Sequence, residues 1–182
     1  MPAESGADER RLVREAQSGS GAAMAQLYSL HWRGAYRAAY LVVHDAAAAE
    51  DIAQDGFLAA VDALDRFDRR RPFAPWLHRI VVNRALDWAR REALRRRVDG
   101  AESVFEALPP PEEIGGEMIA ALRELPAEQR AVVVLRHLLE YTPGEIASML
   151  ELPRGTVNSR LRRGLDRLRE MAEAELSLEE RR

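Results

Sequence analysis

Cysteine is absent from the 182 residues, which excludes disulfides, thiol nucleophiles and cysteine-ligated zinc. Lysine is absent as well, and all 27 basic residues are arginine. No apolar run approaches the roughly 18–20 residues that a membrane span needs. The N-terminal MPAESGADERR lacks the hydrophobic stretch of a secretory signal, so a soluble, cytoplasmic protein is expected. Histidines are few and scattered (His31, His44, His78, His137), and no H-E-x-x-H, phosphate-loop or Ser-His-Asp pattern occurs. No enzymatic activity, catalytic residue, metal site or cofactor is therefore expected.

What is present is segregated charge. The formal net charge of −3 hides two basic islands. Residues 66–97 hold eleven arginines against three acids, and residues 153–169 hold six against one. Between them, residues 98–128 hold eight acids and one arginine. Such patches, rather than the total, set the field within a Debye length of about 8–10 Å. The preference for arginine over lysine fits a GC-rich coding bias, but that bias does not explain the clustering. Arginine's planar donors suit phosphate and guanine edges.

Helix formers dominate and no alternating strand pattern appears, so the chain reads as all-α. The expected architecture is two small helical domains joined by a flexible linker, the second a helix-turn-helix domain. The boundaries read as 7–94, an acidic Pro/Gly-containing linker at 95–116, and 117–175. Pro109 to Pro111 favour extended backbone, and Gly115-Gly116 weakens helix continuity. Some 20 extended residues would reach about 70 Å, the rise of about 20 base pairs.

Within the first domain, residues 46–65 place Ile52, Ala53, Phe57, Ala60, Val61 and Leu64 on one half of a helix. Asp51, Gln54, Asp55, Leu58 and Asp62 fall on the other half. That face is either simply solvated or a docking surface for a basic partner with Leu58 at its centre. A turn at Arg71-Pro72 precedes a long helix expected to begin near Pro75. Trp76, Leu77, Ile80, Val81 and Trp88 read as its buried side. Arg79, Asn83, Leu86 and Arg90 form a second stripe suited to phosphates and bases. Phe73, read as a loop residue beside Arg69 to Arg71, is the candidate for stacking on an unpaired base, with Phe67 as loosely placed.

The sharpest local signal is Thr142-Pro143-Gly144-Glu145, a capping box with proline at the first helical position. A short helix, a turn near Leu152-Pro153 and a second helix to about Glu170 complete a helix-turn-helix. In that second helix Val157, Leu161, Leu165 and Leu168 form an apolar stripe, while Ser159, Arg162, Arg163 and Asp166 point away with Asn158 at their flank. Arginine can contact guanine or phosphate there, and asparagine adenine.

Three segments, AEDIAQDGFLAAVDAL, FAPWLHRIVVNRALDWARR and LRELPAEQRAVVVLRHLLEYTPGEIASMLELPRGTVNSRLRRGLDRLRE, occur in this order with a variable linker. Together they resemble an extracytoplasmic-function (group IV) sigma factor of the sigma-70 family, over about residues 22–172. The resemblance implies a subunit that binds core RNA polymerase and directs transcription initiation at −10/−35 promoters. It implies that Asp51, Gln54, Asp55 and Leu58 meet the polymerase. It places Phe73, Arg79, Asn83 and Arg90 at the −10 strand, and Thr156, Asn158, Ser159, Arg162 and Arg163 at the −35 duplex. It implies promoter DNA and an anti-sigma factor as further partners. Glu151 stands where the family often has glycine. A side chain forced to positive φ costs about 1 kcal/mol, so a differently shaped turn is expected there. A stand-alone helix-turn-helix regulator is the alternative; it would account for residues 120–170 but not for the acidic face.

Overall fold

The computed structural model describes residues 2–99 and 115–179; most of the expected linker lies outside them. The elements are α1 (Pro2–Gln17), α2 (Gly21–Val43), α3 (Ala46–Ala63), a 3₁₀ turn (Leu64–Arg66), α4 (Phe73–Asp99), α5 (Gly116–Arg123), α6 (Ala127–Val133), a π-turn (Val134–Leu138), α7 (Pro143–Met149) and α8 (Arg154–Glu179). All regular structure among the described residues is helical, as the composition implied.

Helix boundaries follow from local chemistry. Ser20 caps α2 by accepting from the Ala23 N–H, and Asp45 caps α3 by accepting from the Ala48 N–H at 2.8 Å. Between them His44 takes a left-handed conformation with φ 53°, which ends α2 and turns the chain in two residues. α2, α3 and α4 then pack through small residues. Ala35, Ala38, Ala39, Ala49, Ala53 and Ala85 are buried with Leu27, Leu41, Leu77, Val81 and Val82. Gly56 marks the closest approach of α3 to α4, where a Cβ would lie 2.6 Å from Val81 Cγ2.

α1 braces this bundle. Its Leu12 and Val13 are buried. The Gln17 side-chain amide donates to the Leu64 and Phe67 carbonyls, both at 3.0 Å. At the other end of α1, Glu9 Oε1 accepts from the Phe73 N–H at 3.0 Å, so a carboxylate 64 positions away caps α4. This cap explains why α4 begins at Phe73 and not near Pro75. Pro75 occupies the third helical position, where its missing N–H is still harmless. The helix also runs on through residues 95–99, which the sequence assigned to the linker. Arg95 and Arg96 both pair with Glu92 one turn earlier and support that extension.

In the second block, the Thr142 capping box is present in full, with the Glu145 carboxylate accepting from the Thr142 N–H at 2.7 Å. The turn after α7 does take the left-handed shape. Glu151 sits at φ 54°, so the differently shaped turn expected from its side chain is not what the chain adopts. α8 buries Val157, Leu161 and Gly164, with Leu168 partly buried, while Leu165 is exposed. The apolar stripe thus drifts onto Gly164, where a Cβ would lie 2.9 Å from Val133 Cγ2 of α6. Val61 is likewise on the exposed side of α3.

The two blocks pack against each other. α6 lies on α2 and α4, and α7 touches α4. Part-buried polar contacts join them: His78 Nδ1 and the Tyr141 hydroxyl are 2.7 Å apart, and the Arg130 guanidinium donates to the Val42 carbonyl while also donating to Leu125 of its own block. Burial pushes Arg130 down to about 10. Among the described residues, no helix is long and apolar enough to cross a membrane.

Candidate nucleic-acid and partner interfaces

Three separate surfaces emerge from the placed residues. The first is on α3. Asp51, Gln54, Asp55 and Leu58 are all exposed, and Leu58 is 63% accessible although it is a leucine in a helix with six buried apolar side chains. The opposite side of α3 is spent on the core through Ile52, Ala53, Phe57 and Ala60. Exposed apolar side chains, Leu58 with Val61 one turn on, flanked by carboxylates offer a basic, partly apolar partner both burial and charge. Asp55 also lies 4.0 Å from Arg84 of α4, so the acidic face borders on arginine.

The second surface is the α4 stripe. Arg79 and Arg90 are exposed and Asn83 is part-buried, so the polar members share a face, while Leu86 on the same stripe is buried at 4%. Phe73 does not join them. Its ring is 1% exposed and packs against His31, Phe67 and Trp76. It is a core residue because Glu9 fixes its backbone at the start of α4, which leaves the ring packed inward. The assignment of Phe73 to base stacking is corrected accordingly, and Phe67, buried at 7%, offers no substitute. The part-buried aromatic that borders the neighbouring groove is Trp76. That groove, about 590 Å³, is lined by Arg66, Arg71, Pro72, Trp76 and Arg79 from the first block and by Glu145, Ser148 and Met149 from the second. Arg66 and Arg71 lie in the sequence's basic island, but only the fold places them beside the stripe.

The third surface is the outer face of α8. Asn158, Arg162 and Arg163 are exposed, while Thr156 and Ser159 are half-buried. Ser159 Oγ donates to the Thr156 carbonyl at 3.0 Å and accepts from Arg163 Nη2 at 3.5 Å. The serine therefore spends its donor on the helix and orients Arg163. Arg154, exposed at the start of α8, adds a charge outside the stripe expected from the sequence. An exposed Arg/Asn face on the second helix of a helix-turn-helix, braced from behind by α6, matches what major-groove reading requires.

Comparison with known proteins bears on the whole chain. Residues 27–95 match the family model of Sigma-70 region 2, and residues 116–168 that of Sigma-70, region 4. The chain is 29% identical over 176 residues to the ECF RNA polymerase sigma factor SigW of Bacillus subtilis, covering 88% of this chain and 94% of that protein. It is 35% identical over 153 residues to SigM of Mycobacterium tuberculosis, covering 83% of this chain and 78% of that protein. The solved structure of CnrH in complex with the cytosolic domain of CnrY superposes with a TM-score of 0.68 at 29% identity, over 92% of this chain and 98% of that chain; CnrH is a sigma factor of Cupriavidus metallidurans. The α2–α4 bundle and the helix-turn-helix block thus match region 2 and region 4, and the chain belongs to the sigma-70 family as an extracytoplasmic-function sigma factor.

Proposed function

We propose that this sigma factor attaches to core RNA polymerase through α3, contacts the separated −10 strand through α4 and reads the −35 duplex through α8. The observation that carries the reading is the spatial separation of three chemically distinct faces on one chain. Asp51, Gln54, Asp55 and Leu58 make an acidic face with an apolar centre. Arg79, Asn83 and Arg90 on α4, with Trp76 beside them, combine cation, amide and aromatic chemistry suited to single-stranded DNA. Asn158, Arg162 and Arg163 present the amide and guanidinium donors that base edges take, with Thr156 and Ser159 half-buried beside them. Trp76 takes the stacking place that Phe73 cannot. The work is binding; phosphodiester chemistry belongs to the polymerase, which places the chain with it in the cytoplasm.

CnrH is seen with the cytosolic domain of CnrY, and an inhibitory anti-sigma partner is part of the proposal for this chain too. A stand-alone helix-turn-helix regulator would have no use for the α3 face. The two readings separate by size-exclusion chromatography with purified core polymerase. Co-elution with the core enzyme is expected, and Asp51→Arg with Asp55→Arg should abolish it. A chain that stays apart from polymerase yet binds duplex DNA as a dimer would overturn the proposal.

A further inference from the structure

Where the end of α2 meets α4 and the α5–α6 corner, the packing leaves a cavity of about 370 Å³. Its wall includes His44 from the α2 cap, Trp88, Glu92 and Arg96 from α4, and Arg123 and Arg130 from the second block. His44 is the anomaly. Its side chain is 6% exposed, and neither Nδ1 nor Nε2 has a hydrogen-bond partner. Arg130 Nε is buried and unpartnered as well, although both Nη atoms donate to backbone carbonyls. Three orphaned nitrogens on two residues of one wall run against the rule that buried polar groups are paired. His44 also holds φ 53°, where glycine or asparagine would end α2 with less strain. Apolar packing explains neither cost. The wall is also electropositive. Glu92 is spent on Arg95 and Arg96. Among the described residues, neither Arg123 nor Arg130 forms an ion pair. Arg130 feels Arg123 and Arg96 as like charges and only Glu124 as an opposite one.

We propose that this cavity binds a free mononucleotide, with Arg123 and Arg130 on the phosphate, His44 on the phosphate and ribose oxygens, and Trp88 bordering the base. Each part of such a ligand answers a feature of the wall. A phosphate dianion beside Arg123 and Arg130 relieves their mutual repulsion and supplies acceptors for guanidinium N–H groups. Burial keeps His44 neutral at pH 7, so its ring has one donor and one acceptor to satisfy. A phosphate oxygen accepts from the first, and a ribose hydroxyl donates to the second. The half-buried Trp88 indole offers apolar, aromatic surface to a base. The volume lies at the lower end of the range for small-molecule sites. The site is built from residues outside the three macromolecular faces, so it gives the free chain a means of registering a phosphorylated metabolite. An occupant stabilises the folded chain in proportion to its concentration over its dissociation constant.

The test is isothermal titration of the full chain, without polymerase, with AMP, GMP, CMP and UMP at millimolar concentration. Saturable binding of one molecule per chain by at least one of them is expected. The matching nucleoside, which lacks the phosphate, and inorganic phosphate, which lacks the ring, should each bind about ten-fold more weakly or worse. Arg123 is exposed and its side chain makes no hydrogen bond among the described residues, so Arg123→Ala should leave the unliganded melting midpoint unchanged. It should weaken the mononucleotide by about ten-fold while leaving the nucleoside alone. His44→Asn keeps a residue that tolerates the left-handed backbone and should weaken both ligands. Arg169→Ala, an equal loss of charge at an exposed arginine of α8, should change neither. Melting midpoints with and without ligand supply a second readout, rising in the wild-type chain and rising less in Arg123→Ala. No saturable binding by any mononucleotide, inorganic phosphate binding as tightly as the mononucleotide, or an Arg169→Ala loss equal to that of Arg123→Ala would each overturn the site.

Discussion

Arg79 and Glu151 lie 72 positions apart and form an ion pair that ties the α4 stripe to the turn of the helix-turn-helix. Glu151 holds this contact from a left-handed backbone at φ 54°, where glycine would be unstrained. Two effects of opposite sign meet in one residue. Glu151→Ala removes the ion pair and keeps the strain, while Glu151→Gly removes both. The glycine variant should therefore be more stable than the alanine variant by about 1 kcal/mol, or about 2–4 °C in melting midpoint for a chain of this size. Equal midpoints would show that the turn carries no strain.

The α3 face tests docking without disturbing the fold. Leu58 is 63% exposed, so Leu58→Ala should leave thermal stability within about 0.5 kcal/mol. The same change should weaken polymerase binding by 1 kcal/mol or more, about five-fold, if Leu58 fills a pocket on the partner. Titration of labelled chain with core polymerase reads this directly. Unchanged affinity would remove Leu58 from the interface.

On α8, Arg163→Ala is expected to cost about 1–3 kcal/mol in binding to a −35 duplex if the side chain reads a base, with discrimination relaxed at one position. If Arg163 instead touches phosphate, the loss should be uniform across sequences and the salt slope should fall by about one. Ser159→Ala removes the hydroxyl that lies 3.5 Å from Arg163 and should reproduce part of either effect. Binding isotherms at two salt concentrations on a set of −35 variants distinguish the cases, and no effect on any variant excludes Arg163.

Acid should destabilise the protein through two buried imidazoles. Burial pushes His44 down to about 3, helped by Arg130 and Arg123 beside it. Burial pushes His78 down to about 4, helped by His31, while Tyr141 is its partner on the other block. Both folded-state values lie below the ordinary 6.5. The unfolded chain therefore binds more protons as pH falls, and the stability these neutral rings contribute is present above pH 6.5 and lost progressively toward pH 4. Each histidine should cost up to about 1.4 kcal/mol per pH unit within that window. Melting midpoints at pH 7, 6 and 5 should fall accordingly, and His44→Gln should shallow the slope. A flat profile would mean that the rings are solvated in the folded state.

Much of this architecture is legible in the sequence because it is local. The Thr142–Glu145 capping box, the acidic face of α3 and the Arg/Asn face of α8 are set by residue spacing within a few turns, and periodicity reads such spacing directly. What escaped depends on distant residues. Phe73 reads as a loop ring until Glu9, 64 positions earlier, is seen capping its N–H. The start of α4 shifts for the same reason. Leu165 fits an ideal apolar stripe, yet the close approach of α6 at Gly164 turns the buried face past it. Most of all, Arg79, Asn83 and Arg90 look free in one dimension, and only the packing of the second block reveals their acceptors. The linker over 100–114 lies outside the described residues.

The most direct measurement is mapping transcript 5′ ends made in vitro on genomic DNA by core polymerase with and without this chain. New, sharply defined start sites that share upstream −10 and −35 sequences are expected, and they should disappear with Asp51→Arg/Asp55→Arg. Start sites unchanged by the chain, despite stable binding to polymerase, would contradict its role in choosing where transcription begins.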